Sequence, residues 1–145
     1  MPSATDFATP EDTEAAFYRA FAETDLRAMM QVWAELDEVA CIHPMGQIVH
    51  GYEQVRDSWH TLLGGDQRMH FRLEHHARSN DGTLAVHTLS EYIYLPGDTR
   101  PRPAILATNV YRRTAQGWRM VLHHASPSVI DTAGRQSDTP RQPLH

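Results

Sequence analysis

The sequence contains no lysine, since all 13 of its basic residues are arginines. This excludes a Schiff base between a lysine and a carbonyl substrate. The one cysteine, Cys41, excludes a disulfide within the chain and is typical of a reducing compartment, so we expect a cytoplasmic protein. No apolar run approaches the roughly 18 residues of a membrane span, and we expect no membrane partner.

Positive charge is scarce as well. The formal net charge is −5, whereas binding to a nucleic-acid backbone requires clustered positive charge. We therefore expect no nucleic-acid partner. Residues 1–17 lack the basic and apolar regions of a secretory signal.

Three segments have the pattern of amphipathic helices. The first covers residues 10–23, where Thr9 can cap the helix and Pro10 can occupy its first position. The second follows a cap at Asp25, and the third opens near Gly51 and stops at Gly64-Gly65. Their apolar stripes are Phe17 and Phe21, then Leu26, Met29, Met30 and Trp33, then Val55, Trp59, Leu62 and Leu63.

The rest of the chain has the pattern of β-sheet. A hairpin is predicted at Asn80-Asp81-Gly82, and strands are predicted over 38–43, 47–50, 68–78, 83–95, 104–113 and 118–126. The element order α-α-β-β-α-β-β-β-β predicts an α+β fold, with three helices on the concave face of a cone-shaped, curled antiparallel sheet. Such a cone can hold a cavity.

The chain is long enough for one domain. We assign residues 10–127 to it, with 1–9 as an N-terminal extension. From Pro127 onward the chain is polar and contains three prolines, so residues 128–145 are predicted to form a mobile tail.

The fifth predicted strand is half-apolar on both faces. Ile105, Ala107, Asn109 and Tyr111 alternate there with Leu106, Thr108 and Val110. A solvated outer face should be more clearly polar. We predict a homodimer that covers this face, although scattered apolar surface residues are common in monomers too.

Several motifs resemble the SnoaL-like branch of the nuclear-transport-factor-like superfamily. They are Asp25-Leu26, Trp33, CIHPMG at 41–46, HGYEQV at 50–55 and Trp59. Near the end of the chain, NVYRR at 109–113 and GWRMVLHHAS at 117–126 are similar to the association domain of calcium/calmodulin-dependent protein kinase II. The resemblance covers roughly residues 10–127 and implies the cone-shaped, cystatin-like roll, a fold that hosts many functions.

The ketosteroid isomerases of this superfamily provide an informative comparison. Their catalytic carboxylate precedes a Pro-x-Gly at the end of the first strand, where this chain has His43-Pro44-Met45-Gly46. Their two oxyanion-binding groups correspond here to Phe17 and Leu106, although Tyr18 is adjacent to the first of these. The resemblance thus implies a base at His43 without that oxyanion hole, which argues against steroid isomerisation by that mechanism.

His43 is the candidate catalytic residue, as a neutral general base at the rim of the cavity. The alternative is a strand-end histidine that only bonds a backbone carbonyl. Because residues i and i+2 of a strand share a face, Cys41 should lie on the same concave side as His43. A lone cysteine in an apolar strand is more often a small hydrophobic residue than a nucleophile.

Five candidate ligand-binding residues accompany His43. Trp33 and Trp59 either wall the cavity beside it or are plain core. Asn109 and His124, like Glu91, are polar positions in long strands that face either the cavity or a subunit interface. Together with Cys41, the candidates are Trp33, Trp59, Asn109 and His124.

No metal site and no cofactor are expected from the sequence. In His75-His76 and His123-His124 the neighbouring side chains face opposite ways, so each pair offers at most one ligand to a given site. The ligand spacing of structural zinc sites is missing.

Two functions remain open at this point. One is the binding of a small apolar or mixed-polarity molecule, with proton transfer of the lyase or isomerase kind. The other is a non-catalytic association module like the kinase domain. An enzyme of this kind needs a cavity of roughly 300 Å³ or more.

Overall fold

The computed structural model of the chain describes residues 6–65 and 67–129. Most of the predicted tail and the start of the predicted N-terminal extension lie outside these ranges. The described part has the element order that the sequence predicts. It contains α1 (Pro10–Ala22), α2 (Leu26–Val32), β1 (Ala40–Ile42), β2 (Ile48–His50), α3 (Tyr52–Leu63), β3 (His70–Asn80), β4 (Leu84–Tyr94), β5 (Ile105–Thr114) and β6 (Gly117–Pro127).

The helices begin where the sequence indicates. The Thr9 hydroxyl accepts a hydrogen bond from the backbone N–H of Asp12 at 3.0 Å, and the Asp25 carboxylate accepts one from the N–H of Ala28 at 3.0 Å. Each bond satisfies an N–H that has no partner within its helix. The prediction differs at Trp33, because α2 ends at Val32 and Trp33 has extended backbone angles.

The six strands form one sheet in the order β2-β1-β6-β5-β4-β3. The predicted α+β class with a curled sheet is confirmed, but the sheet is mixed rather than wholly antiparallel, because β1 runs parallel to β6 and pairs Cys41 with His123. Trp33 forms a bridge to Met120, and the N–H of Ala34 bonds the Met120 carbonyl at 3.0 Å. From Trp33 into β1 the chain therefore runs beside β6 and in the same direction as that strand.

Residue alternation separates a buried inner face of the sheet from an outer face. On β5, Ala107, Asn109 and Tyr111 are buried, whereas Leu106 between two inner positions is 44% exposed. The helices pack on the inner face, where the core includes Phe17, Met29, Val55, Trp59 and Met120. A strand residue can therefore take part in chemistry inside the cone only if its side chain faces inward.

Two β-bulges decide which histidine of each pair faces inward. The register of β3 shifts between His75 and Ala77, and that of β5 against β6 shifts at Val110/Tyr111. His123 is 1% exposed and points inward, whereas His124 is exposed. The expectation that neighbouring histidines face opposite ways is therefore confirmed for this pair.

Residues before α1 take part in the fold as well. Phe7 forms a bridge to Gly117, and its carbonyl accepts a bond of 2.8 Å from the N–H of Trp118. Gly117 has a φ of 90°, and a Cβ there would lie 2.5 Å from the Phe7 carbonyl oxygen. A glycine is needed at this crossing because both the backbone angle and the space exclude a side chain.

Among the described residues, none of the helices combines the length and the apolar character that crossing a membrane requires.

Candidate functional site

His43 lies directly after β1, at the turn that Pro44 and Gly46 make. The N–H of Gly46 bonds the His43 carbonyl at 2.8 Å, which closes the turn and ends the strand. The His43 ring packs edge-on against Trp59, with 4.7 Å between ring centroids. Its Nε2 is 3.6 Å from the Cys41 sulfur, which confirms that these two side chains share a face.

The hydrogen bonds of Ser58 assign the proton on the His43 ring. The Ser58 hydroxyl donates to the Val55 carbonyl at 2.7 Å, so its oxygen is left to accept from His43 Nε2 at 3.1 Å. Neutral His43 therefore carries its proton on Nε2 and presents Nδ1 as the basic atom. Burial lowers the pKa of His43, which favours the neutral form.

His43 lines a cavity of about 480 Å³ between the helices and the sheet. The wall is predominantly apolar, and Glu91, His123 and Arg102 are its other ionisable members. The remaining lining residues are Phe21, Pro44, Leu62, Met69, Ile93, Leu95, Pro103, Ala104, Ile105, Ala125 and Pro127. The volume exceeds the roughly 300 Å³ that binding a small molecule requires.

Glu91 is an acidic residue on this wall, and β4 directs it inward. Its side chain is buried, and Oε2 accepts a bond of 2.6 Å from the Tyr18 hydroxyl. Burial raises the pKa of Glu91 to about 7, the negative charge of Glu14 adds to the rise, and the Tyr18 bond partly offsets it. A carboxyl with this pKa can both give and take a proton near neutrality.

His123 lines the same cavity as Glu91 and is held neutral there. Its Nδ1 lies 2.6 Å from Oδ1 of Asn109, which can only accept, so Nδ1 carries the proton. The Asn109 amide in turn donates to the Tyr18 hydroxyl at 3.0 Å. Burial, with smaller contributions from the charges of His43 and His124, lowers the pKa of His123 to about 3. A directed chain of hydrogen bonds thus runs from His123 through Asn109 and Tyr18 to Glu91.

A second buried polar cluster, the Glu14 cluster, adjoins this chain. It consists of Glu14 on α1, His75 on β3, His87 on β4 and Tyr111 on β5. Glu14 Oε1 is 2.5 Å from His75 Nε2, while Oε2 is 2.9 Å from His87 Nδ1 and 2.8 Å from the Tyr111 hydroxyl. Burial alone would raise the pKa of Glu14, but the hydrogen bonds from His87, His75 and Tyr111 outweigh it and lower the pKa.

The predicted ligand-binding residues are distributed over several parts of the fold. Cys41 is buried, and burial raises the pKa of its thiol to about 12, which disfavours a thiolate nucleophile. Trp59 supports the His43 ring, and Asn109 joins the inner hydrogen-bond chain. His124 lies on the outer side of the sheet, in a shallow pocket with Thr108.

Trp33 is not among the residues that line the His43 cavity. It lines a separate cleft of about 450 Å³ with Tyr52 and Arg119. The physical reason is that α2 ends one residue early, so Trp33 joins β6 through Met120 instead of extending the helical stripe.

Sequence reasoning missed His123, Glu14 and Tyr18 as members of the site, and it left Glu91 open between the cavity and a subunit interface. Alternation along β4 favours the cavity for Glu91, since Glu91 shares a side with Ala85, His87 and Leu89, all of them buried. The oxyanion position assigned to Leu106 lies on the outer face. The buried carboxyl group in the cavity wall belongs to Glu91 on β4, whereas the comparison with ketosteroid isomerases concerned the position of Leu106 on β5.

Known proteins share both sequence and fold with this chain. The family model described as SnoaL-like domain matches residues 11–131. The F-box protein SKIP8 of Arabidopsis thaliana is 32% identical over 116 residues, which are 79% of this chain and 48% of that protein. The chain thus spans about half the length of this curated relative.

Two solved structures are similar to this chain in both fold and sequence, and a third is similar in fold. A protein of Thiobacillus denitrificans, provisionally described as a calcium/calmodulin-dependent protein kinase type II association domain, has a TM-score of 0.80 and 45% identity over 84% of this chain and 97% of its own. A provisionally described dehydratase of the NTF2-like family from Streptomyces avermitilis has a TM-score of 0.70 and 30% identity over 80% of this chain and 91% of its own. A ketosteroid isomerase-like structure from Parabacteroides distasonis, at 21% identity and a TM-score of 0.68 over 86% of this chain and 96% of its own, supports the fold alone.

Proposed function

This chain belongs to the SnoaL-like domain family, and we propose that it binds a small, mostly apolar molecule in the His43 cavity and moves a proton on it without a cofactor. The observation that carries the proposal is the meeting of His43 and Glu91 on one apolar cavity of about 480 Å³. The reaction class is that of a lyase or isomerase.

The two ionisable groups have complementary states near neutral pH. His43 is biased towards the neutral form and offers Nδ1 as a base, while Glu91 has a pKa of about 7 and retains a proton in much of the population. A neutral base and a protonated acid that face one substrate can abstract a proton at one atom and return one at another. Burial is the main cause of both pKa shifts, since it disfavours the charged form of each group.

Tyr18 and Asn109 act as positioning residues in this proposal. The Tyr18 hydroxyl fixes one oxygen of Glu91 at 2.6 Å, and the Asn109 amide fixes Tyr18 at 3.0 Å. Glu91 Oε1 is thereby left as the oxygen that can face a ligand. The dehydratase description of the Streptomyces avermitilis relative, at 30% identity, is consistent with proton transfer of the lyase kind.

Proton transfer can be tested without knowing the natural substrate. Cyclohexanone, decalone and tetralone are incubated with the protein in D2O, and deuterium uptake next to the carbonyl is followed by NMR. We expect His43→Ala and Glu91→Gln each to reduce the accelerated uptake about 100-fold. The matched control is His60→Ala, because His60 is exposed on α3. Equal uptake by all variants and by buffer would contradict the proposal.

The alternative function is a non-catalytic association module. It is favoured by the 45% identity to the protein described as a kinase association domain. It predicts an assembly larger than a dimer, no deuterium uptake, and no molecule in organic extracts of the native protein by mass spectrometry. A copurified small molecule that is lost in a cavity-filling variant such as Ala125→Phe would decide against this alternative.

We also propose a cytoplasmic homodimer. The outer face of the sheet, defined here by Leu106, Thr108, Val110 and Leu122, is largely apolar on neighbouring strands. The single buried free cysteine fits a reducing compartment. The formal net charge of −5 gives no support to a nucleic-acid partner.

A further inference from the structure

We propose that Glu14, His75 and His87 bind one divalent transition-metal ion, with zinc as the best match. These residues are separate from the His43 cavity, whose lining includes none of them. They come from α1, β3 and β4 and are brought together by the pairing of β3 with β4 and by the packing of the first helix on these strands.

The spacing of the donor atoms fits a single small ion. One donor atom from each residue lies within 4.8 Å of the other two, and in tetrahedral zinc sites with bonds near 2.0–2.2 Å the donors are about 3.3 Å apart. Glu14 directs Oε1 at His75 Nε2 and Oε2 at His87 Nδ1, at 2.5 and 2.9 Å. Moving the close pairs apart and the widest pair together, by on the order of 1 Å, would place an ion between the three side chains.

The donor set indicates which ion is preferred. Two imidazoles and one carboxylate are the protein ligands of many zinc sites that keep the fourth position for water. Imidazole nitrogen favours zinc, copper, nickel and iron over magnesium and calcium, which prefer all-oxygen sites. The site would therefore bind zinc or Co2+ and discriminate against Mg2+.

The groups around the cluster have the arrangement of an outer coordination shell. His87 bonds Glu14 through Nδ1, and its other nitrogen, Nε2, is 3.4 Å from Oε2 of Glu11. A carboxylate that accepts the second ring N–H of a ligating histidine fixes the tautomer and the ring orientation. The Tyr111 hydroxyl and, at 3.5 Å, the Asn109 amide donate to Glu14 Oε2 in the same way.

An ion can reach the cluster without unfolding the domain. The His75 side chain is 20% exposed and Glu11 is 53% exposed, so the open side lies between the start of α1 and β3. The β-bulge at His76 turns that neighbour away from the cluster, and His76 Nε2 bonds the Ser90 hydroxyl at 2.7 Å instead. His75 and His76 are therefore adjacent in sequence, but only His75 belongs to the proposed donor set. Substituting His75 should weaken metal binding, and substituting His76 should not.

The test uses the full chain without an affinity tag, stripped with EDTA and dialysed. Zinc is titrated by calorimetry at pH 7, and Co2+ is used as a spectroscopic probe of coordination number. We expect one zinc ion per chain, a tetrahedral Co2+ spectrum and a higher melting temperature with zinc. His75→Gln and His87→Gln should weaken zinc binding at least 100-fold, and Glu11→Gln about 10- to 100-fold.

His76→Gln is the matched control and should change zinc affinity less than about threefold, since His76 lies outside the donor set. If His87→Gln fails to fold by near-UV circular dichroism, the partly exposed His75→Gln provides the decisive comparison. Equal zinc affinity in the wild type, His75→Gln and His76→Gln would mean adventitious binding by surface histidines and would overturn the proposal. So would the lack of any zinc-induced change in melting temperature, which would leave the cluster as a hydrogen-bonded part of the core.

Discussion

The Tyr18 hydroxyl donates a hydrogen bond of 2.6 Å to Oε2 of Glu91 inside the cone. The two residues lie on the first helix and the fourth strand, 73 positions apart in the chain. Through this contact, the packing of α1 in the core affects the pKa of Glu91 in the cavity wall. Substitutions on either side should therefore change both stability and proton affinity.

Tyr18→Phe should raise the pKa of Glu91 further, because the Tyr18 bond lowers that pKa in the wild type. It should also reduce the free energy of unfolding by about 1–3 kcal/mol, since the buried Asn109 amide loses the nearer of its two acceptors. Carboxyl chemical shifts from NMR titration and urea denaturation measure the two effects. The control is Tyr52→Phe, whose hydroxyl bonds the Met30 carbonyl at 2.9 Å; an equal shift of the Glu91 resonance in that variant would contradict the prediction.

Glu91 should make the protein less stable as the pH rises from 4.5 to about 7. The folded-state pKa is about 7 against 4.5 for the unconstrained group, so in this window the folded protein holds a proton that the unfolded chain has released. Raising the pH therefore removes stability, by about 3 kcal/mol in total. Above pH 7 the whole loss is present.

His123 makes the stability depend on pH in the opposite direction. Its folded-state pKa of about 3 lies below the ordinary 6.5, so its contribution to stability is lost as the pH falls below 6.5. The Glu91 effect is best isolated as the difference between the wild type and Glu91→Gln, in which the His123 contribution cancels. We expect Glu91→Gln to gain on the wild type between pH 4.5 and 7, with exposed Glu74→Gln as the control; parallel curves would refute this.

Gly117→Ala should destabilise the fold far more than Gly82→Ala. Both glycines have φ near 90°, but a Cβ at Gly117 would lie 2.5 Å from the Phe7 carbonyl oxygen, whereas nothing lies within 4 Å of one at Gly82. We expect losses of roughly 2–4 kcal/mol at Gly117 against about 1–2 kcal/mol at Gly82. Urea denaturation of the two variants separates the steric clash from the backbone strain that they share, and similar losses would show that Phe7 yields easily.

Light scattering should give twice the chain mass of 16.5 kDa at micromolar concentration. Leu106→Arg should shift the equilibrium to the monomer, because it places a charge in the apolar outer face of the sheet. Met45→Arg is the control, since Met45 is 90% exposed in the turn after His43. Detection of the 16.5 kDa species alone in the wild type would contradict the homodimer.

Local signals in the sequence predicted most of the fold. Capping at Thr9 and Asp25, the periodic apolar stripes and the hairpin at Asn80–Gly82 depend on neighbouring residues, so they can be interpreted without knowledge of the tertiary structure. The parallel pairing of β1 with β6 could not be predicted in this way. It joins Cys41 to His123 across some 80 residues, and periodicity reveals neither the partner of a strand nor its direction.

The candidate site was predictable only in part for the same reason. His43 stands at a motif that can be recognised locally, and the structure places it on the cavity wall. Alternation along β4 indicates the inward side for Glu91, whereas Glu14 meets its partners His75 and His87 only through the packing of α1 on the sheet. The bulge positions at His76 and Val121 are set by cross-strand pairing, so sequence alone could state that one histidine of each pair faces inward but not which one.

The bulge at His76 also has a consequence for how molecules meet in solution. Within the described chain, β3 is the last strand at its end of the sheet, so its outer edge offers free N–H and C=O groups to a second sheet. An inserted residue interrupts the regular spacing of those groups, and the exposed charges of Arg72, Glu74 and Arg78 flank it. Irregular, charged edges resist edge-to-edge aggregation. The distortion that aims His75 into the domain therefore also protects the domain from uncontrolled fibre-like growth.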